Sequence, residues 1–272
     1  MPIHHDGRFP GSSRCGTNRR TERPSLSRAG EGGLVATTSI GRVRFVSVRH
    51  ARGSRRVAIL DPDTLRTYTH LVAEIGATVE AALSQRVVAN RVDTCAVEPP
   101  ALRLRPWRAE RDAFAARLSE LAEAGGVLTF ADVRRCYASI SPSTVGAELR
   151  RLGVGTAGAI EAFLRGLEPD GVRGLPVGPD PSAVLANAVL GRADLALERA
   201  GVPHVRWVDD VVLSSSDPRG ALGVLRGALE EIGLRLNERK TRIVLDGSIA
   251  DLGLGSPTHG RPFRVAGVTV RG

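Results

Sequence analysis

The chain has 272 residues, 42% of them hydrophobic and 25% charged, which is enough apolar content for a packed core and excludes wholesale disorder. Its formal net charge is +9, and of 38 basic residues only Lys240 is a lysine, so the excess is arginine and points to a phosphate-bearing polymer or nucleotide as partner. The three scattered cysteines argue against a disulfide framework, the N-terminus lacks a signal peptide, and no apolar run approaches the roughly 20 residues that span a bilayer; the expectation is a soluble, cytoplasmic protein with no membrane partner.

Residues 1–38 are rich in Arg, Gly, Ser and Pro without a hydrophobic period, and read as a flexible basic tail or as sequence upstream of the true start. Residues 43–48 and 56–60 alternate or run apolar as strands do. Leu71, Ile75, Val79 and Leu83 recur every fourth position, which predicts a helix over about 71–88. After a Pro-rich break, Phe114, Leu118 and Leu121 mark a second helix closed by Gly125 and Gly126. Residues 127–132 form a strand ending on Asp132, and Ser141-Pro142 opens a further helix as cap and first turn. A Gly/Pro-rich loop over 174–182 leads into a helix from Val184 to about Arg199. A hairpin over 204–215 follows, then a helix through Leu222, Leu225, Leu229 and Ile232 ended at Gly233, and a segment over 234–245 that is extended at its far end. From Asp132 onward this order fits an α+β fold in which helices back one face of an antiparallel sheet. There is no internal repeat.

Asp132 closes a buried strand, and Asp209 and Asp210 lie at the hairpin tip. In a split β-α-β sheet those elements are neighbours, so the three carboxylates converge at one edge and repel unless a cation lies among them. Hard oxygen ligands favour Mg²⁺. Taken singly, each has a plainer explanation: Asp132 as a turn cap, Asp209-Asp210 as an acidic hairpin tip.

The surrounding residues carry a resemblance. Phe130-Ala-Asp-Val-Arg-Arg-Cys-Tyr-Ala-Ser-Ile140 resembles the first palm motif of reverse transcriptases, and Gly174-Leu-Pro-Val-Gly-Pro-Asp-Pro-Ser-Ala-Val-Leu-Ala-Asn187 is similar to their second. Trp207-Val-Asp-Asp210 resembles their aromatic-x-Asp-Asp hallmark. Gly233-Leu-Arg-Leu-Asn-Glu-Arg-Lys-Thr241 resembles the fourth motif in its bacterial form. The motifs occur in the family's order over roughly residues 127–245.

The resemblance implies a right-hand polymerase of bacterial type, related to retron, group II intron or phage-defence enzymes. Fingers would occupy residues 39–125. The palm, an antiparallel ferredoxin-like (split βαβ) sheet, would occupy 126–272, with finger-like helices near 142–170. It implies an RNA-directed DNA polymerase using two Mg²⁺ ions, with Mn²⁺ as a substitute, an RNA template, a DNA primer or product, and dNTPs. Asp132 and Asp209 would bind metal, with Asp210 ligating less directly. Tyr137 would lie beneath the incoming sugar and exclude a ribose 2′-hydroxyl, although an ordinary core aromatic is the plainer alternative. Gly178 and Ser182 would shape a loop against nucleotide and template, where Val177 replaces the glutamine of many relatives. Lys240 would assist pyrophosphate departure as a proton donor; a solvated surface lysine is the alternative. Arg56 and Arg66 would hold the triphosphate, unless they belong to a basic hairpin facing solvent, and Arg86 or Arg91 would touch template phosphates. The sequence ends at Gly272, with residues 263–268 as a remnant of the primer-grip hairpin, so the expectation is an absent thumb whose role a partner protein or structured RNA fills. Two other readings stay open: a template-independent or protein-primed DNA polymerase of a phage-defence system, and a catalytically silent nucleic-acid-binding relative.

Overall fold

The computed structural model describes residues 41–50, 53–94 and 101–244, together with the backbone of two short strands at 264–265 and 268–269. The expected basic tail lies outside those residues, and of the 263–268 segment only the backbone pairing of Arg264–Val265 with Val268–Thr269 is described.

Strands β1 (Arg44–His50) and β2 (Gly53–Ile59) form an antiparallel ribbon. Side chains alternate across it. One face turns Phe45 and Ala58 toward the core, whereas Val46, Val48 and Ile59 on the other face are exposed. Helix α1 (Pro62–Ala73) follows at once, because Asp61 accepts the Asp63 and Thr64 amides and Pro62 pre-sets the first turn. The helix expected over 71–88 is therefore two helices: α1 starts earlier, and α2 (Gly76–Ala82) begins after a break at Ile75. The four-residue spacing persists across the break because Leu71, Ile75 and Val79 all pack on one core. It registers a shared burial direction rather than a continuous helix.

The main sheet comprises β3 (Val127–Asp132), β4 (His204–Trp207), β5 (Asp210–Ser215) and β6 (Arg242–Val244), antiparallel in the spatial order β4-β5-β3-β6. That order is the expected split β-α-β arrangement. Helices cover both faces, not one. Helix α3 (Trp107–Glu123) sets Phe114, Leu118 and Leu121 against Leu128, Phe130, Val205 and Val212. Across the sheet, Ala131, Val211 and Leu213 join a larger core in which alternate residues of the same strands are buried. A short helix α4 (Cys136–Ser139) and helices α5 (Pro142–Arg151), α6 (Ala157–Gly166), α7 (Asp180–Arg199) and α8 (Pro218–Glu231) build that core. The unbroken apolar run Val211-Val212-Leu213 is what a strand buried on both faces requires. Among the described residues, no helix is long and apolar enough to cross a membrane.

Candidate active site

Asp132 ends β3 directly opposite Asp210, and Trp207 pairs with Asp210, so the β4–β5 hairpin closes through a two-residue loop, Val208–Asp209. Val208 has φ +56° and Asp209 does not share the positive φ. Positive φ at the first loop residue alone is the pattern of a type II′ turn, for which glycine is preferred. A β-branched residue there carries roughly 1–2 kcal/mol of local strain. The Val133 amide donates to the Asp209 carbonyl at 3.1 Å and ties the tip to the chain leaving β3. Asp132 and Asp210 are buried and Asp209 half-buried.

The fourth motif wraps this end. Asn237 donates its amide nitrogen to the Asp132 carbonyl and its Nδ2 to Asp132 Oδ1, both at 2.7 Å. The Asn237 carbonyl accepts the Lys240 and Thr241 amides at 2.9 Å, closing a turn that returns Lys240 Nζ to Asp132 Oδ2 at 2.7 Å. Burial first, and then the Asp132 charge, push the Asp209 carboxyl up to about 6, while Arg55 and Lys240 pull it back. Two mutually repelling carboxylates of hard oxygen chemistry suit a divalent cation such as Mg²⁺. Among the described residues no three His, Cys, Asp or Glu side chains gather closely enough to hold a metal. Both Asp132 oxygens face Asn237 and Lys240.

Helix α4 carries Tyr137, half-buried against the core. Burial is the main cause that pushes its hydroxyl well above the usual tyrosine range, and the Asp209 charge adds to it. The loop after Gly174 is clamped between α4 and β2. The Leu175 amide donates to the Tyr137 carbonyl, and the Ala58 amide to the Val177 carbonyl, both at 2.8 Å. Gly174 (φ +66°) and Gly178 (φ +126°) are required, since a Cβ would come within 2.4 Å of the Tyr137 carbonyl and 2.8 Å of Val57 Cγ1 respectively. Ser182 departs from expectation. It is fully buried with its hydroxyl 3.0 Å from that of Tyr68, which stacks on Phe163, so it braces the loop from inside and has no face for a nucleotide.

Residues 61–270 match the family model described as "Reverse transcriptase (RNA-dependent DNA polymerase)". The chain belongs to this reverse transcriptase family. Two solved structures share its fold at low identity. Telomerase from Candida albicans in complex with a fragment of telomeric RNA is 12% identical with a TM-score of 0.50, over 75% of this chain and 43% of that one. A structure titled "RdRp complex" is 14% identical with a TM-score of 0.50, over 76% of this chain and 22% of that one. The chain therefore spans less than half the length of either, and no curated protein matches it.

The arginines divide differently from expectation. Arg56 sits over the Phe45 ring at 3.4 Å on the core-facing side of β2, whereas Arg55, one residue earlier and on the opposite face, is close enough to act on both Asp209 and Tyr137. Arg66 lies on the solvent side of α1, paired with Asp63. Arg91 is buried, donating to Glu80 and to the Ser84 and Val87 carbonyls, which removes it from any template surface. Arg86 is half-buried beside β4, its carbonyl accepting the Arg206 amide.

Arg206 carries no signal of burial in the sequence, yet among the described residues it is the largest fully buried side chain. It donates through Nε and Nη2 to the Asp194 carboxylate, and through Nη1 to Asn187 Oδ1 at 2.9 Å and the Val208 carbonyl at 2.8 Å. Asn187 in turn donates to the Ala89 and Asn90 carbonyls. Burial alone would raise the Asp194 carboxyl, but Arg206, helped by His204, outweighs it and holds the group below its ordinary value. Asp194→Ala leaves a buried guanidinium unpaired and is expected to destabilise the protein by about 3–5 kcal/mol in urea unfolding. A depressed carboxyl adds stability above its unfolded pKa and loses it as pH falls toward the folded value. The native protein should therefore lose stability below about pH 4, and Asp194→Asn should flatten that acid limb.

Proposed function

We propose that this chain is an RNA-directed DNA polymerase of bacterial type that joins dNTPs to a 3′-hydroxyl. The observation that carries the reading is the meeting of Asp132, Asp209 and Lys240 at one end of an antiparallel sheet, with Lys240 Nζ 2.7 Å from Asp132. Asp132 and Asp209 would be the carboxylates that hold Mg²⁺, with Asn237 and Lys240 yielding the Asp132 oxygens they now occupy. When bound, such ions activate the attacking hydroxyl and stabilise the leaving pyrophosphate. The chain's own residues do the positioning. Arg55 on the exposed face of the β1–β2 ribbon faces the triphosphate, Gly178 keeps the loop backbone close, and Tyr137 lies beneath the sugar. Arg86 borders the template path, and Lys240 supplies a proton to the departing pyrophosphate. The string Gly233–Thr241 supports the bacterial assignment.

Purified full chain with Mg²⁺, a primed RNA template and labelled dNTPs should extend the primer, and Asp209→Ala should stop it. Binding that survives Asp132→Ala and Asp209→Ala, is indifferent to Mg²⁺ and yields no incorporation on any template would mark a silent relative instead. Products unrelated to the template would mark a template-independent or protein-primed polymerase. Tyr137→Val should raise the ratio of kcat/KM for ribonucleotides over deoxyribonucleotides by about tenfold or more; an unchanged ratio would leave Tyr137 as a core aromatic.

A further inference from the structure

We propose that Arg206 is a positioning residue for the reaction, which sets the orientation of Asp209 by holding the carbonyl of Val208 in the strained hairpin tip. The proposal rests on the polymerase reading for its kinetic consequence, and on geometry alone for its structural one. Arginine is almost never fully buried unless paired, and this one is 1% exposed. The Asp194 carboxylate is partner enough to neutralise it, through Nε and Nη2. Nη1 is left over, and it is aimed at two oxygens: Asn187 Oδ1 and the Val208 carbonyl.

Val208 is where bracing is needed. With φ +56° on a β-branched residue, the tip occupies a conformation that persists only when its surroundings over-determine it. The peptide unit whose carbonyl Arg206 holds is the one that leads into Asp209. On the other side of the tip, the Asp209 carbonyl is fixed by the Val133 amide. The two bonds grip Asp209 from before and after, one from the buried network and one from β3. Asn187 extends the same network to the Ala89 and Asn90 carbonyls, so the tip is referenced to the segment beside β4 as well. A lysine could keep the charge pair with Asp194. It has no planar fork to place a second nitrogen between Asn187 and Val208.

The test is a cycle between Arg206→Lys and Val208→Gly, since glycine adopts positive φ without strain and removes the need for the brace. On a primed RNA template, Arg206→Lys should lower kcat about tenfold or more with KM for dNTP changed by less than about twofold, because orientation of a group at the reacting centre is lost and binding is not. In the Val208→Gly background the same substitution should reduce kcat by no more than about threefold. An equal loss in both backgrounds, or a change confined to KM, overturns the proposal. Hydrogen exchange at the Val133 amide reads the tip without turnover. It should accelerate about tenfold in Arg206→Lys and return toward the native rate in the double variant. If the native chain incorporates nothing but exchange follows this pattern, the polymerase reading fails and the brace stands; if exchange is unmoved by Arg206→Lys, the brace fails whatever the activity. Should Arg206→Lys not fold, Asn187→Ala, which removes the acceptor that aims Nη1, carries the same expectation at smaller size, and unchanged Val133 exchange in it overturns the proposal.

Discussion

Primer extension by the Asp209→Asn and Asp132→Asn proteins is expected to fall by about three orders of magnitude or more, equivalent to about 4 kcal/mol of transition-state stabilisation. Both substitutions keep the shape of the side chain and remove its charge, so the loss isolates the carboxylate from its packing. Asp132→Asn retains an oxygen for Asn237 or Lys240, which limits its effect on folding. Nucleic-acid binding should persist or tighten in both, because a negative charge near phosphates is removed. A structural signature accompanies the kinetic one. Burial and the Asp132 charge raise the Asp209 carboxyl to about 6, so neutralising Asp132 should lower that value, as carboxyl-carbon NMR titration would measure. If either isosteric variant extended primers at the native rate, the pair would be a structural feature of the hairpin and not a catalytic one.

How much of this was legible beforehand depends on what kind of signal each residue leaves. Strand β3 could be read to the residue, because a short apolar run between Gly126 and an acidic end has few other solutions. The hairpin and the helices ending at Gly125 and Gly233 were equally plain. Helix α1 starts ahead of the apolar spacing that begins at Leu71, and its signal is the cap and first turn at Asp61-Pro62. One-face packing was expected because helix and strand order alone does not say on which side a helix crosses, whereas the run at 211–213 did.

In the site, Asp132 and Lys240 were found and are in contact. Arg55 was missed by one position: placing the strand start at residue 56 left its alternation unanchored, and in a strand a one-residue error exchanges the two faces. The task of Asn237 leaves no signal in the sequence, since its bond to Asp132 joins segments 105 residues apart. Ser182, Arg91 and Arg206 show the same limit from the other side. A polar residue does not announce burial, because burial depends on a partner such as Tyr68, Glu80 or Asp194 that only the fold supplies.

Lys240 gives the second large expected effect, and its test turns on a difference between two cations. The ammonium neutralises Asp132 at 2.7 Å and is half-exposed, so a flexible stem lets it turn from that carboxylate toward a departing phosphate. A purely electrostatic role would be met by arginine, which holds its charge at every accessible pH. A proton donor must also be able to lose its proton, and arginine cannot. Lys240→Arg and Lys240→Ala should therefore both lower kcat by about 10²–10³-fold, the range for loss of a general acid, with similar KM for dNTP. Retention of most activity in Lys240→Arg, with loss only in Lys240→Ala, would assign Lys240 to charge balance at Asp132 and remove it from proton transfer. In that outcome the pyrophosphate oxygen takes its proton from solvent.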